Sequence, residues 1–152
     1  MRSHNSAASR ARAAARLAAV QALYQRAMEG THLPTLLDEF HRHRLGAEIE
    51  GDQYAQAEVA FFDDVVQGVY ARQDEIDALL EAKLADGWRL ERLDKTMHQI
   101  LRAGTYELIA RKDVATGTAI SEYVDVAHAF FEKREAKFVN GLLDAVAKDV
   151  RG

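Results

Sequence analysis

The 152-residue chain contains no cysteine. A disulfide framework and a thiolate metal site are therefore excluded, and the composition fits a reducing compartment. A single proline, Pro34, and few β-branched runs argue against strands and for helices. No apolar run approaches the length needed to span a bilayer. The N-terminus carries arginines but no compact apolar stretch, so it does not read as a signal peptide. The expectation is a soluble cytoplasmic protein. A third absence is local: residues 1–28 hold no carboxylate, although the chain as a whole is acidic, with 24 Asp and Glu against 20 Lys and Arg.

That last absence divides the charge. Residues 1–28 carry Arg2, Arg10, Arg12, Arg16 and Arg26, or +5, while the remainder carries 15 basic against 24 acidic groups, or −9. Such asymmetry points to two surfaces with different partners. Apolar residues at 48% and charged residues at 29% place the chain among globular proteins with a sizeable core.

Helix-period patterning runs through the sequence. A first helix is predicted from about Ser9, as N-cap, to about Glu29, stopped by Gly30, with Leu17, Val20, Tyr24 and Met28 as its apolar stripe. Pro34 starts a second helix carrying Leu36, Leu37, Phe40 and Leu45. Residues 45–53, LGAEIEGDQ, read as a loop. A third helix spans about Tyr54 to about Gln73 with Val59, Phe62, Val66 and Val69/Tyr70. A short helix follows, stopped by Gly87. The next, about Asp94 to about Ala110, buries Ile100, Leu101, Gly104 and Leu108. Thr116 or Thr118 caps a sixth helix carrying Ile120, Tyr123, Val124, Ala127 and Phe130/Phe131. The last runs from about Glu135 to about Val150 and presents Phe138, Val139, Leu142, Leu143 and Val146. The fold class is therefore all-α: a compact bundle of about seven helices in two sub-bundles, about 9–73 and about 74–150, within one domain.

Chemistry-bearing patterns are sparse. His41, His43 and Glu39, or Asp125 with His128, do not supply the repeated ligand set of a di-metal bundle. Asp63 and Asp64 are adjacent, so they diverge around a helix and read as a solvated edge. No Gly-rich phosphate loop, nucleophile elbow or Cys/His pair is present. No catalytic residue, metal or cofactor is expected.

The basic first helix carries more information. Arg12 and Arg16 share a face beside the apolar stripe, near Leu23, where they would rim a seam with neighbouring helices. Arginines near a helix N-terminus oppose its dipole, at roughly a few tenths of a kcal/mol each. They are either a solvated helix end or a phosphate contact. In EKREAKFVNGLLD, residues 132–144, Lys133, Arg134 and Lys137 are basic, Phe138 is aromatic and Asn140 polar. On periodicity alone Phe138 belongs to the core, Gly141 marks a close helix approach, and Asn140 is a cap or a core hydrogen-bonding group.

Four segments in order, RARAAARLAAVQALYQ, ILRAGTYEL (100–108), AISEYVDVAHAF (119–130) and KFVNGLLDAVA (137–147), resemble the NusB family of transcription antitermination factors over nearly the whole chain. The resemblance implies a non-enzymatic, seven-helix RNA-binding adaptor. Its partners would be boxA-type single-stranded RNA, the small-subunit ribosomal protein NusE, and RNA polymerase with other Nus factors, with no membrane. It would favour read-through of terminators, notably in ribosomal RNA operons. By position it implies Arg10, Arg12, Arg16, Tyr24, Arg102, Lys137, Phe138 and Asn140 as RNA contacts. Where many members have an acidic residue, a basic residue and alanine, this chain has Met97, His98 and Gln99. His98 and Gln99 are then the groups able to hydrogen-bond a base. The family's usual proline before the sixth helix is Ala115. The alternative is a protein-binding helical module without sequence-specific RNA recognition. NusB-like folds also precede RNA methyltransferase domains, which is not expected of a chain ending at Gly152.

Overall fold

The computed structural model describes residues 6–45 and 52–152, with side chains described from Glu58 in the second segment. Among the described residues there are seven α-helices and no strand: α1 (Ala7–Glu29), α2 (Leu33–His43), α3 (Asp52–Ala71), α4 (Gln73–Lys83), α5 (Lys95–Ala110), α6 (Thr116–Phe130) and α7 (Lys133–Val150). A 3₁₀ turn (Leu90–Arg92) precedes α5. The chain divides into two compact units, Met1–Gln67 and Gly68–Gly152, so the boundary falls inside α3.

In the first unit, α1 begins three residues earlier than predicted. Ser6, not Ser9, is its N-cap, and the Ser6 hydroxyl accepts the Ser9 N–H at 3.0 Å. The helix ends as expected at Gly30, which adopts φ 67°. Its buried face differs from the predicted stripe. Ala11, Ala15, Ala18, Ala19 and Ala22 are buried with Val20 and Leu23, whereas Tyr24 and Met28 are 39% and 54% exposed. Alanine lets neighbouring backbones approach, so the packed face follows the small residues. In α2, Leu36, Leu37 and Phe40 are buried. Phe40 stacks on Phe62 of α3, with ring centroids 5.5 Å apart. Most of the predicted loop, residues 46–51, lies outside the described residues, and Asp52 is already helical. Asp63 is not a solvated edge. Its carboxylate pairs with the His41 imidazole across α2 and α3.

The second unit is built around α5, α6 and α7, with α4 packed on α5 and α7. Tyr123, Ile100, Leu101, Leu108 and Leu143 are fully buried. The Tyr123 hydroxyl donates to the buried Glu107 carboxylate at 2.5 Å. α4 ends at Lys83, four residues before Gly87, which takes φ 87° in the following turn. Asp94 caps α5 through the Thr96 and Met97 N–H groups, at 2.8 and 3.2 Å.

Neither Thr116 nor Thr118 caps α6. The N-cap is Ala115, and the Thr116 hydroxyl instead accepts from Arg151 at 3.1 Å. Arg151 follows α7 and closes the unit. Its guanidinium also donates to the carbonyls of Glu107 (3.2 Å), Leu108 (2.8 Å), Arg111 (2.9 Å) and Val114 (2.7 Å). Those carbonyls sit at the end of α5 and in the α5–α6 turn. One cation thereby satisfies helix-end acceptors and complements the helix dipole. Nothing in the local sequence marks this arginine.

The glycines sort differently from the sequence reading. Gly141 is exposed on α7, and an added Cβ would meet nothing within 4 Å, so it does not serve close packing. The close approaches are elsewhere. A Cβ at Gly104 would lie 2.8 Å from Leu143, and one at Gly68 would lie 2.2 Å from the Tyr106 ring.

Three stability results are expected in urea unfolding. Gly68→Ala destabilises by about 1–3 kcal/mol, because overpacking on the Tyr106 ring exceeds the gain in helix propensity. Gly141→Ala stabilises by up to about 1 kcal/mol. Arg151→Ala costs about 2–4 kcal/mol, since several carbonyls lose a charged donor together.

Candidate nucleic-acid interface

The residues expected to meet RNA fall in both units, and each group has its own environment. In the first unit, α1 carries Arg10, Arg12 and Arg16. The guanidinium carbons of Arg12 and Arg16 lie 4.8 and 4.9 Å from the centre of the Phe61 ring. Phe61 therefore holds both cations beside one aromatic face, each contact being worth about 0.5–2 kcal/mol. Arg16 is only 3% exposed, whereas Arg12 is half-buried and Arg10 exposed. Arg16 is thus part of the packing of α1, and Arg10 and Arg12 are its accessible neighbours. Tyr24 lies two turns further along and is exposed.

In the second unit, the α5 residues are drawn inward by one carboxylate. Asp77 of α4 accepts from Arg102 Nε at 2.9 Å and Nη2 at 2.7 Å, a bidentate pair, and from His98 Nε2 at 3.0 Å. Arg102 also reaches the Gln99 side-chain oxygen at 3.4 Å. The side chains of His98 and Arg102 are each 12% exposed, and Gln99 is buried. These three groups form an internal network rather than a presented surface. Burial alone would raise the Asp77 carboxyl. Its hydrogen bonds from His98 and Arg102, with the Arg102 charge, outweigh that and hold it at about 2, below the ordinary 3.8.

Helix α7 separates the remaining candidates. Val139 is buried, so its neighbours diverge. Phe138 is not a core residue. It is 37% exposed and lines a groove of about 890 Å³ formed by the end of α4, the segment before α5, and α7. Trp88, at 57% exposure, and Phe131 supply further aromatic faces there. Arg92 and Arg134 line the same groove, and Met97 is a buried part of its wall. Lys137 and Asn140 lie on the other side of α7, both exposed, in a separate groove against α6. Asn140 is neither a cap nor a core hydrogen-bonding group.

Sequence reasoning missed Phe61, Trp88, Arg92 and the aromatic role of Phe131. A signal for Trp88 existed: a large aromatic following a turn glycine, outside any helical stripe. Met97 clarifies the departure from the family pattern. It places a thioether, adaptable against aromatic rings, where a carboxylate would have added negative charge to the groove.

No described helix is long and apolar enough to cross a membrane, and no described group of three or more His, Asp or Glu could hold a metal ion. The described helices with their open groove of aromatic and cationic side chains form the architecture of a binding module. The sequence model of the NusB family matches residues 13–148, and the chain belongs to that family. It is 78% identical over 142 residues to the transcription antitermination protein NusB of Novosphingobium aromaticivorans, covering 93% of this chain and 96% of that protein. It is 67% identical over 140 residues to the protein of that name from Sphingopyxis alaskensis, covering 92% and 94%. Among solved structures it resembles a crystal structure of antitermination factors NusB and NusE in complex with double-stranded RNA. There the TM-score is 0.78 at 26% identity, over 92% of this chain and 98% of that one. The NusB of T. maritima gives a TM-score of 0.76 at 29% identity, over 91% of both chains.

The Asp77 network sets a pH dependence. Because the folded carboxyl titrates below its unfolded value, its contribution is complete above about pH 4 and disappears as the pH falls toward 2. Allowing for partial solvent screening, it amounts to about 1–2 kcal/mol. Asp77→Asn is expected to lower the urea midpoint at pH 7 and to flatten the stability profile between pH 4 and 2.

Proposed function

We propose that this chain is an RNA-binding transcription antitermination adaptor. It takes boxA-type single-stranded RNA together with the small-subunit ribosomal protein NusE. With other Nus factors on RNA polymerase it favours read-through, notably in ribosomal RNA operons. It acts in the cytoplasm and catalyses no reaction of its own. The observation that carries this reading is the open groove of Trp88, Phe131 and Phe138 flanked by Arg92 and Arg134, in a chain of the NusB family. Unstacked bases bind aromatic faces, and arginines attract the backbone. The relatives' shared name and the solved assembly of NusB, NusE and RNA support the same partners here.

The roles follow the environments. In the second unit Trp88 and Phe138 stack bases and Arg92 and Arg134 attract phosphates; in the first unit Arg10 and Arg12 attract phosphates. Tyr24 is a further contact on the exposed side of α1. Arg16 holds its place on Phe61 and positions α1. His98, Gln99 and Arg102 shape α5 through Asp77 and meet RNA only if that network opens. The acidic remainder of the chain, net −9 beyond residue 28, suits a basic ribosomal protein.

Titration of boxA RNA and a scrambled RNA, each with and without NusE, tests the reading. Sequence-selective binding strengthened by NusE is expected. Absence of RNA binding in both conditions would leave a protein-binding module. Trp88→Ala or Phe138→Ala should each weaken boxA binding by about 1–3 kcal/mol, the usual worth of one stacked base, with helicity unchanged.

A further inference from the structure

Glycine in a helix interior costs stability against alanine. One that serves neither packing nor a turn therefore points to a demand from outside the fold. Most described glycines do serve one or the other. Gly30, Gly87 and Gly152 adopt positive φ. Gly68 and Gly104 leave room for the Tyr106 ring and the Leu143 side chain. Gly117 has open space around it but lies in the first turn of α6. Gly141 is the exception. It sits in the middle of α7, has no positive φ, and an added Cβ would meet nothing within 4 Å. The fold tolerates this glycine without needing it.

Its surroundings identify the demand. Gly141 is exposed and lines the aromatic groove, as do Arg134, Phe138 and Ala145 of the same helix. Their spacing puts all four on one side of α7. Along that side a cation and a ring are followed by bare backbone. The step from Phe138 to Gly141 is a rise of about 4.5 Å. Beyond it, Leu142 and Ala145 continue the lining without charge. After Phe138 the helix carries no aromatic residue.

We propose that Gly141 seats a ribose: the sugar of the nucleotide whose base stacks on Phe138 lies directly on the α7 backbone. The proposal rests on the RNA-binding reading above and adds a residue that determines fit in the same groove. A base lying on the ring carries its sugar past the ring edge, onto the next position of the helix face. Two other occupants fit less well. A phosphate suits the Arg134 end of this face, whereas Leu142 and Ala145 offer uncharged surface to the carbon-bound face of a sugar. A second stacked base finds no ring on α7 beyond Phe138. A side chain at position 141 would stand where the sugar lies, so a single methyl group lifts the strand from the helix.

Gly141→Ala separates stability from binding, because the two move in opposite directions. The variant should raise the urea midpoint yet bind boxA RNA roughly tenfold more weakly, since a methyl group placed in a close contact forces its neighbour away. The sugar is identified with boxA strands that carry a 2′-O-methyl group at one nucleotide at a time. At one position the methyl group should weaken binding to the wild-type chain and have much less further effect on Gly141→Ala, the non-additivity of two groups in contact. Wild-type affinity in Gly141→Ala overturns the seat. Weakened affinity with additive effects at every nucleotide overturns the assignment to a sugar. Failure of the unmodified chain to bind boxA RNA at all would instead overturn the underlying reading.

Discussion

Burial of Val139, Leu143 and Val146 fixes the rotation of α7, and the surfaces of the second unit follow from that rotation. Leu143 reaches α5 because Gly104 has no side chain to obstruct it, and Tyr123 packs beside the same glycine. The Tyr123–Glu107 hydrogen bond anchors α6 to α5, and Arg151 ties the chain after α7 to the end of α5. With α7 held in this phase, successive side chains are rotated by about 100°, so Lys137 and Asn140, three residues apart, share a side that Phe138 does not. Phe138 turns toward Trp88 and Phe131, while Lys137 and Asn140 turn toward α6. A single buried stripe thus divides one short motif between an aromatic groove and a cationic one.

Charge is managed differently in the two units. In the first, Arg12 and Arg16 of α1 gather on Phe61, and the first turn of the helix has no carboxylate. The missing acids leave that end of the helix positively charged, and the ring holds two of the cations in place. In the second, Asp77 withdraws Arg102 and His98 into the packing of α4 against α5. Arg92, Arg134, Lys133 and Lys137 stay exposed and border grooves, Arg134 beside its ion-pair partner Glu135. Internal pairing therefore separates the cations drawn into the packing from those presented on the surface, where composition alone cannot.

The helices were legible because the apolar period of 3.6 residues is strong from Leu36 to Val146 and turn residues are few. What escaped was set by tertiary context. The packed face of α1 follows alanines, which hydropathy patterns underweight against Leu17, Tyr24 and Met28. Phe138 fits a core stripe by period, yet its side faces a groove because neighbouring segments stop short of covering it. Gly141 and Gly68 look alike in sequence, and only the Tyr106 ring distinguishes a required glycine from a tolerated one. The family motifs indicated the α7 surface, but they did not show that it has two sides. Nor did they reveal that His98, Gln99 and Arg102 are committed to Asp77.

Trp88 is the sole tryptophan of the chain, so its emission reports directly on the aromatic groove. Fluorescence titration of the unmodified protein with boxA RNA tests whether bases enter there. The account predicts saturable quenching that follows the binding isotherm and persists in high salt once RNA is in excess. Saturating RNA that leaves Trp88 emission unchanged would contradict it.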